Sequence, residues 1–306
     1  MELPRLSVII PHLNEPGDLI RCLRSLDAQR TDISLFEIIV VDNGSKVLPT
    51  DACKAIPNVR LERELTPGPG PARNRGASVA RADLLAFIDA DCLAEPGWAR
   101  SIIDFMDAHP DVAFLGGAIG IIPSDPGRLS GIEAYERVYS YRAKLYVERH
   151  GFAATGNMAV RADVFRAVGP FGGIAAMEDT EWGQKATAAG WRAAYLGEAK
   201  VLTPSCKSFS ELARRWDRHV AHEFRKIGGG HAALARWIVT SILVAASPLA
   251  APLQIMRTEH LSGPRSRWLA LVCLTKVRLY RARRMLDLAL HHDTAKFVGA
   301  WNREKS

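Results

Sequence analysis

The first hundred residues alternate short apolar runs with segments of helical periodicity, and this alternation restricts the fold more than any other feature. Candidate strands cover 6–10, 37–41, 59–62 and 84–88, and helical patterns occupy 17–29 and 71–82. Apolar runs without polar alternation are typical of strands covered on both faces, and helical links between them indicate βαβ units. We therefore predict an α/β fold with a Rossmann-like, mostly parallel central sheet flanked by helices.

Beyond residue 100, the pattern predicts strands over 112–122 and 191–201, a long helix over 129–149 and another helix over 208–226. Three consecutive glycines at 228–230 interrupt the pattern, and glycine runs are typical of boundaries between elements. We expect a catalytic domain over 1–230 and a separate helical segment over 231–306 that docks on a membrane.

The excess positive charge is confined to that C-terminal segment. Residues 231–306 hold 12 Lys and Arg against 4 Asp and Glu, whereas residues 1–230 hold 28 against 29. A basic tail beside apolar residues favours an anionic membrane surface as partner and argues against nucleic acid.

Residues 237–256 carry no charge and are numerous enough to cross a bilayer. Pro248 and Pro252 oppose a single span, and so does the positive-inside rule, because one span would export the basic end of the chain. We favour a re-entrant or interfacial hairpin, with five basic residues facing anionic lipid: Lys276, Arg278, Arg281, Arg283 and Arg284. Packing of this segment on the catalytic core remains the alternative.

The five cysteines include no Cys-x-x-Cys pair, which favours a reducing compartment over a disulfide framework or a zinc-thiolate site. The apolar run at 6–10 is too short for the core of a signal peptide. The expected location is the cytoplasmic face of the cell membrane, as a peripheral or monotopic protein, or otherwise the cytoplasm.

Three aspartates follow predicted strands directly. Asp42 comes after the second strand, and Asp89 and Asp91 come after the strand over 84–88. Ligands of such sheets bind outside the carboxyl ends of the strands, and carboxylate pairs suit Mg²⁺ or Mn²⁺. The alternatives are structural: Asp89-Ala90-Asp91 as a solvated turn that caps a helix, and Asp42-Asn43-Gly44-Ser45 as a tight turn.

Taken together, the motifs resemble family 2 glycosyltransferases, which are inverting enzymes with the GT-A fold. The resemblance rests on five motifs in register and covers about residues 6–226: Ser7-Val-Ile-Ile-Pro-His-Leu-Asn-Glu15, Ile39-Val-Val-Asp-Asn-Gly-Ser45, Pro71-Ala-Arg-Asn-Arg-Gly76, Phe87-Ile-Asp-Ala-Asp-Cys92 and Glu178-Asp179.

The resemblance implies a role for each matching residue. Pro11 and Glu15 would border the nucleotide pocket, and Asp42 would hydrogen-bond the nucleobase. Arg73 and Asn74 would lie beside the base and the diphosphate. Asp89 would approach the ribose, Asp91 would bind the Mn²⁺ or Mg²⁺ ion, and Asp179 would be the general base.

The acceptor side is implied in the same way. Gly156 and Asn157 would shape it, and Glu178 would orient the base or bind acceptor. Arg215 and Trp216 resemble a basic-aromatic motif that contacts diphosphate or acceptor, but the full Gln-x-x-Arg-Trp form of processive synthases is absent, which argues against processive synthesis. The alternatives are an acidic helix N-terminus at Glu178-Asp179 and a solvated helix face around Trp216.

His219 and His222 share one helical face, but zinc needs three or four ligands and the sequence offers no third nearby. They are interpreted as residues lining the acceptor cleft or as surface histidines.

The predicted function is transfer of a sugar from a nucleoside-diphosphate donor, UDP first among the bases, to a hydroxyl of a glycan or lipid-linked acceptor. Three alternatives stay open: transfer to polyprenyl phosphate, nucleotidyl transfer on a related fold, and a non-catalytic nucleotide-sugar-binding membrane scaffold. The Gly-rich first loop expected of a nucleotidyltransferase is missing, because Ile10 runs into Pro11-His-Leu-Asn14.

Overall fold

The computed structural model describes residues 3–30, 36–125, 127–173, 177–228 and 230–291. The strands are β1 Leu6–His12, β2 Phe36–Asp42, β3 Val59–Arg63, β4 Leu84–Ile88, β5 Leu93–Ala94, β6 Phe114–Ile122, β7 Asn157–Arg161 and β8 Ala193–Pro204. The helices are α1 Pro16–Asp27, α2 Thr50–Lys54, α3 Pro69–Val79, α4 Trp98–Ala108, α5 Gly131–Tyr139, α6 Ala143–His150, α7 Ala162–Val168, α8 Glu178–Ala188, α9 Phe209–Arg225, α10 His231–Ala246, α11 Ala251–Arg257 and α12 Gly263–His291.

The strands form one sheet of eight in the order β3-β2-β1-β4-β7-β6-β8-β5. Strands β3, β2, β1 and β4 are parallel, whereas β7 pairs antiparallel with both β4 and β6, and β5 pairs antiparallel with β8. The predicted α/β fold is confirmed, and the sheet is mixed. The parallel part brings the carboxyl ends of β1, β2 and β4 to one edge.

The core of the sheet lies on both of its faces. Val8 and Ile10 of β1 pack with Leu23 and other residues of α1, whereas Ile9 between them packs with Phe87 on the opposite face. Successive residues of a strand point to opposite faces, so a strand covered on both sides must be apolar throughout. The uninterrupted apolar runs in the sequence have this physical cause.

Among the described residues, the chain divides into two compact units. The first holds those up to Gly120 and those over Tyr141–Thr203, and the second holds Ile121–Ser140 and those from Pro204 onward. This division differs from the expected boundary at residue 230, because α9 packs against α12 and therefore belongs with the C-terminal helices. The helical second unit has its own core, which includes Tyr135, Leu212, Leu274 and Val277.

Two predicted helices have different bounds in the structure. The helix expected over 129–149 is two helices, because the chain turns at Tyr141, whose φ is +50°. Helix α3 begins at Pro69 rather than Pro71, since Gly68 adopts a φ of +123° that a residue with a side chain would resist and Pro69 suits a first helical turn.

The uncharged stretch forms α10, a short 3-10 turn over Ser247–Ala250, and α11. Within the described parts of the chain, His231–Arg257 is the one helical segment long and apolar enough to cross a membrane, with a mean hydropathy of 1.8. Length and composition alone do not distinguish a span from a helix that lies on a membrane or on other protein.

Candidate functional site

The Asp89-Ala90-Asp91 turn begins where β4 ends, at the carboxyl edge of the parallel strands. β4 is buried along its whole length. Asp89 and Asp91 are the first acidic residues after it in the chain. Potential ligand atoms of Asp89, Asp91 and Cys92 lie within 4.8 Å of one another. The Cys92 thiol donates to Oδ1 of Asp91 at 3.6 Å, and the Cys22 thiol donates to the backbone oxygen of Asp89 at 3.7 Å.

The electrostatics of Asp91 suit a bound cation. Burial raises its pKa, and the carboxylates of Asp89 and Glu15 raise it further. No Lys, Arg or His among the described residues forms an ion pair with Asp91. Carboxylate oxygens are ligands that Mg²⁺ and Mn²⁺ prefer, whereas burial also raises the pKa of the Cys92 thiol and keeps it protonated. The donor set therefore fits a hard divalent cation held by Asp91.

Arg73 of α3 connects this turn to the beginning of α8. Its Nη2 donates to Oδ1 of Asp89 at 2.6 Å, and its Nη1 donates to Oε1 of Glu178 at 3.0 Å. The side chain is 3% exposed, and its Nε–H has no hydrogen-bond partner within the described residues. A buried guanidinium anchored at two carboxylates is a fixed positive charge between the Asp89-Ala90-Asp91 turn and α8.

Asp179 lies in the first turn of α8, directly after Glu178. Its Oδ1 accepts hydrogen bonds from the backbone N–H of Thr180 at 2.7 Å and from the Thr180 hydroxyl at 3.2 Å. Burial raises the pKa of Asp179 to about 6, with a further contribution from the Glu178 carboxylate and opposing ones from Thr180 and Arg73. A carboxylate with a pKa close to neutrality can accept a proton efficiently near physiological pH.

Asp42 is buried, and it holds the turn after β2 in place. Its Oδ2 accepts the backbone N–H groups of Gly44 at 3.2 Å and Ser45 at 3.1 Å, and its Oδ1 lies 3.3 Å from Nδ1 of His12. Nε2 of His12 accepts the backbone N–H of Glu15 at 3.2 Å, so the proton lies on Nδ1 and points to Asp42. The predicted contact of Asp42 with a nucleobase stays a prediction.

Pro11 and Glu15 lie where β1 leads into α1. Pro11 is half-buried and opposite Val41 in the parallel register. The backbone oxygen of Glu15 accepts from Asp18 at 3.1 Å and from Leu19 at 3.0 Å, which begins the helix. The N-terminus of α1 therefore lies at the carboxyl edge of the sheet, where its dipole favours a negatively charged ligand.

Asn74 and Asn157 are both engaged by the protein. The Asn74 side chain exchanges two hydrogen bonds with the backbone of Phe171, at 3.0 and 2.9 Å. The buried Asn157 amide donates to two backbone oxygens and accepts from the Trp98 indole at 2.8 Å. Gly156 lies against Asp89, because a Cβ there would be 3.0 Å from its Oδ2. These residues shape the surroundings of the site from within the protein.

Arg215 and Trp216 lie on α9 in the second unit. Nη1 of Arg215 donates to Oε1 of the buried Glu136 at 2.8 Å, and the guanidinium of Arg281 is 4.8 Å from the Trp216 ring centroid. His219 of the same helix has a pKa lowered to about 4 by burial and by the neighbouring Arg218. Of the described residues, only Asp89, Asp91 and Cys92 form a group with three potential ligand atoms close enough for one metal ion.

His12 and Asn43 have structural roles that the sequence did not indicate. Asn43 donates to the backbone oxygens of Glu64 and Thr66, both at 2.8 Å, and accepts from the Gly68 N–H at 2.8 Å. It therefore ties the turn after β2 to the segment that leads into α3. The Asn-Gly pair at this turn was the available signal, but it indicated only a change of chain direction.

Known proteins resemble this chain in sequence. The model of glycosyl transferase family 2 matches residues 7–169. Glycosyltransferase AglE of Haloferax volcanii is 29% identical over 219 residues, which are 70% of this chain and 71% of that protein. Validoxylamine A glucosyltransferase of Streptomyces hygroscopicus subsp. jinggangensis is 35% identical over 133 residues, which are 40% of this chain and 31% of that enzyme.

Solved structures share the fold. Mannosyltransferase PcManGT from Pyrobaculum calidifontis, solved in complex with GDP-Man and Mn²⁺, superposes with a TM-score of 0.60 at 17% identity, over 96% of this chain and 89% of its own. TarS from S. aureus superposes with a TM-score of 0.52 at 16% identity, over 94% of this chain and 54% of its own. At these identities the likeness establishes the fold.

Proposed function

Because the chain belongs to glycosyl transferase family 2 and has the GT-A fold, we propose that this glycosyltransferase moves a sugar from a nucleoside diphosphate to an acceptor hydroxyl with inversion. The acceptor class that we propose is a lipid-linked or growing cell-surface glycan. One observation carries the proposal: Arg73 joins the donor-side Asp89 to Glu178, the neighbour of Asp179. The carboxylates of the proposed donor side and the candidate base are thereby linked through one side chain.

The donor half of the proposed site consists of Asp91, Asp89 and the N-terminus of α1. Asp91 would hold Mn²⁺ or Mg²⁺, which would neutralise the charge that develops on the departing diphosphate. Asp89 would approach the ribose with its second oxygen, since its Oδ1 is engaged by Arg73. The buried, unpartnered Nε–H of Arg73 supports a neighbouring anionic or carbonyl oxygen in the loaded site.

In the proposed reaction the acceptor oxygen attacks the anomeric carbon from the face opposite the diphosphate. A bond forms between that oxygen and the anomeric carbon, and the bond from the anomeric carbon to the diphosphate oxygen breaks. The acceptor proton passes to the Asp179 carboxylate, whose pKa of about 6 suits this transfer. Nucleoside diphosphate leaves with the bonding electron pair.

A thermal-shift series over UDP-, GDP- and dTDP-sugars, each with and without Mn²⁺, tests the donor assignment. We expect one nucleotide class to raise the melting temperature only when Mn²⁺ is present; UDP was the base predicted from the sequence, whereas the mannosyltransferase PcManGT holds GDP-Man. Asp91→Asn should remove the Mn²⁺-dependent part of the shift, and an undiminished shift in that variant would refute the metal assignment.

Product analysis with the selected donor tests the chemistry. Transfer to a hydroxyl should proceed with inversion and should be lost in Asp179→Asn. A phosphate acceptor needs little help from a base, so activity of Asp179→Asn on polyprenyl phosphate would favour the alternative acceptor. Retention of configuration would refute the single displacement.

A further inference from the structure

One face of helix α10 packs against α12, and its opposite face is apolar and exposed. Its packed face consists of Ala233, Trp237 and Ser241, which are four residues apart. The Trp237 indole donates to the backbone oxygen of Met285 at 2.8 Å, and the Ser241 hydroxyl donates to that of Ala282 at 3.0 Å. These two hydrogen bonds fix one side of α10 on α12, and they do not cover the side chains on its other side.

The exposed face continues from α10 into α11. Its side chains are large and apolar, with exposures of 55% to 86%: Val239, Ile242, Leu243, Leu249, Leu253 and Met256. An exposed helix face in water is ordinarily polar, and contiguous apolar patches of this kind mark an interaction surface. We call these six residues the apolar face.

Two hydroxyls near the apolar face are satisfied by the segment's own backbone. The Thr240 hydroxyl donates to the backbone oxygen of Arg236 at 2.8 Å, and the Ser247 hydroxyl donates to that of Val244 at 2.7 Å. Such bonds remove the cost of transferring hydroxyls into a medium without water. The segment is thus suited to hydrocarbon as well as to protein.

Charges around the apolar face identify its partner. Exposed arginines at 236 and 257 bracket it, and α12 begins with the exposed Arg265 and with Trp268, which is 65% exposed. Over 231–291 the chain holds nine Lys and Arg against two Asp and Glu. Exposed apolar side chains that are flanked along the chain by cations and followed by an exposed tryptophan are features by which a helical segment binds the interface of an anionic lipid leaflet.

The packing of α12 decides between a span and in-plane binding. Two hydrogen bonds from α10 to α12 end at the backbone oxygens of Ala282 and Met285, so Arg281, Arg283 and Arg284 lie at the same level as the middle of α10. Arg284 pairs with Asp217 at 3.0 Å, and Arg281 pairs with Glu223 at 2.8 Å. A span by α10 would take these charged groups into hydrocarbon, which is costly.

We propose that α10 and α11 lie in the plane of an anionic bilayer and insert the apolar face into one leaflet, so that the protein is monotopic. The exposed side chains enter the boundary between headgroups and acyl chains, and the face carrying Trp237 and Ser241 stays on α12. This inference does not depend on the sugar or the acceptor of the reaction.

Flotation of the full chain with vesicles tests the proposal. We expect binding to vesicles containing about one third phosphatidylglycerol, weaker binding to pure phosphatidylcholine, and partial release at high salt, since headgroup attraction is screened while apolar insertion is not. Leu243→Glu should weaken binding to the anionic vesicles by at least about tenfold, because burial of one leucine side chain contributes roughly that factor.

Leu3→Glu is the matched control, because it makes the same chemical change at a similarly exposed leucine of the first unit. It should bind vesicles as the parent does. Unchanged binding of Leu243→Glu, with its melting temperature preserved, would overturn the proposal. So would sedimentation data showing a stable dimer that Leu243→Glu dissociates while neither protein binds vesicles.

Depth measurements separate in-plane binding from a span. The five native cysteines are buried, so a fluorophore on Leu243→Cys or Leu253→Cys reports one position. In-plane binding predicts that lipid-borne quenchers place both labels at the same shallow depth, and that a reductant outside the vesicles reaches both. A label at the bilayer centre, or one protected from the outside reductant, would contradict the in-plane arrangement.

Discussion

Replacing Glu178 with glutamine should move the acidic limb of the pH–rate profile to lower pH. Asp179 must be ionised to accept the acceptor proton, so kcat/KM should fall as the pH drops through its pKa of about 6. Burial is the largest cause of the raised pKa, and the Glu178 carboxylate is the next. Removing that negative charge lowers the pKa of Asp179, while the amide oxygen of the glutamine can still accept the hydrogen bond from Arg73.

The size of the shift follows from the charges nearby. Loss of one adjacent carboxylate, itself partly neutralised by Arg73, lowers the pKa of Asp179 by about one unit. At pH 5 the parent enzyme would then retain about a tenth of its plateau kcat/KM, whereas Glu178→Gln would retain about half of its own plateau. The relative activity at pH 5 should therefore differ by about fivefold, whatever happens to the plateau itself.

The assay is the initial rate of transfer at low donor concentration, measured from pH 4.5 to 8 and normalised to each plateau. Glu181→Gln is the matched control, because it removes a carboxylate from the same first turn of α8 while leaving Glu178 in place. Its limb should coincide with that of the parent. A limb that stays near pH 6 in Glu178→Gln would refute the coupling between the two carboxylates.

Three further substitutions test how the site is held. Gly156→Ala should raise the donor KM several-fold without changing the fold, because its Cβ would lie 3.0 Å from Oδ2 of Asp89; kinetics together with circular dichroism check this. Asn157→Ala should lower the free energy of unfolding by about 2–4 kcal/mol, since three buried hydrogen bonds are lost; denaturant unfolding measures it. Arg73→Lys should lower kcat/KM at least about tenfold, because one ammonium cannot replace a guanidinium bonded to both Asp89 and Glu178; an unchanged kcat/KM would show that the bridge is dispensable.

The position of the acidic residues at the edge of the sheet could be predicted because its determinants are local. An apolar run of five to seven residues that is followed by a carboxylate indicates a buried strand, and it also indicates where the chain leaves the sheet. Asp42 and Asp89 were placed in this way, and parallel order then required their strand ends to meet at one edge. The family resemblance supplied the expected roles of the residues, which geometry alone would not have given.

Features that depend on distant contacts were beyond the sequence. Arg73 and Glu178 are 105 residues apart, and no local pattern indicates that one guanidinium lies between Asp89 and Glu178. The break at Tyr141 was missed for a similar reason, because the residues on both sides have helical periodicity and only the positive φ at Tyr141 shows that the chain turns. Periodicity predicts local conformation, whereas tertiary packing decides where a helix must end.

Asp42 shows how a correctly placed residue can still differ in what it offers a ligand. From the sequence it was a free carboxylate at a strand end, but in the structure His12 and two backbone N–H groups already bond to it. The Ser45 hydroxyl also acts on Asp42 as a hydrogen-bond partner and lowers its pKa, so the carboxylate is close to its usual capacity of about four hydrogen bonds. Any bond to a nucleobase would therefore be added to a turn that is already fixed, and no loop ordering would be needed on binding. Preorganisation of this kind lowers the entropic cost of holding the donor.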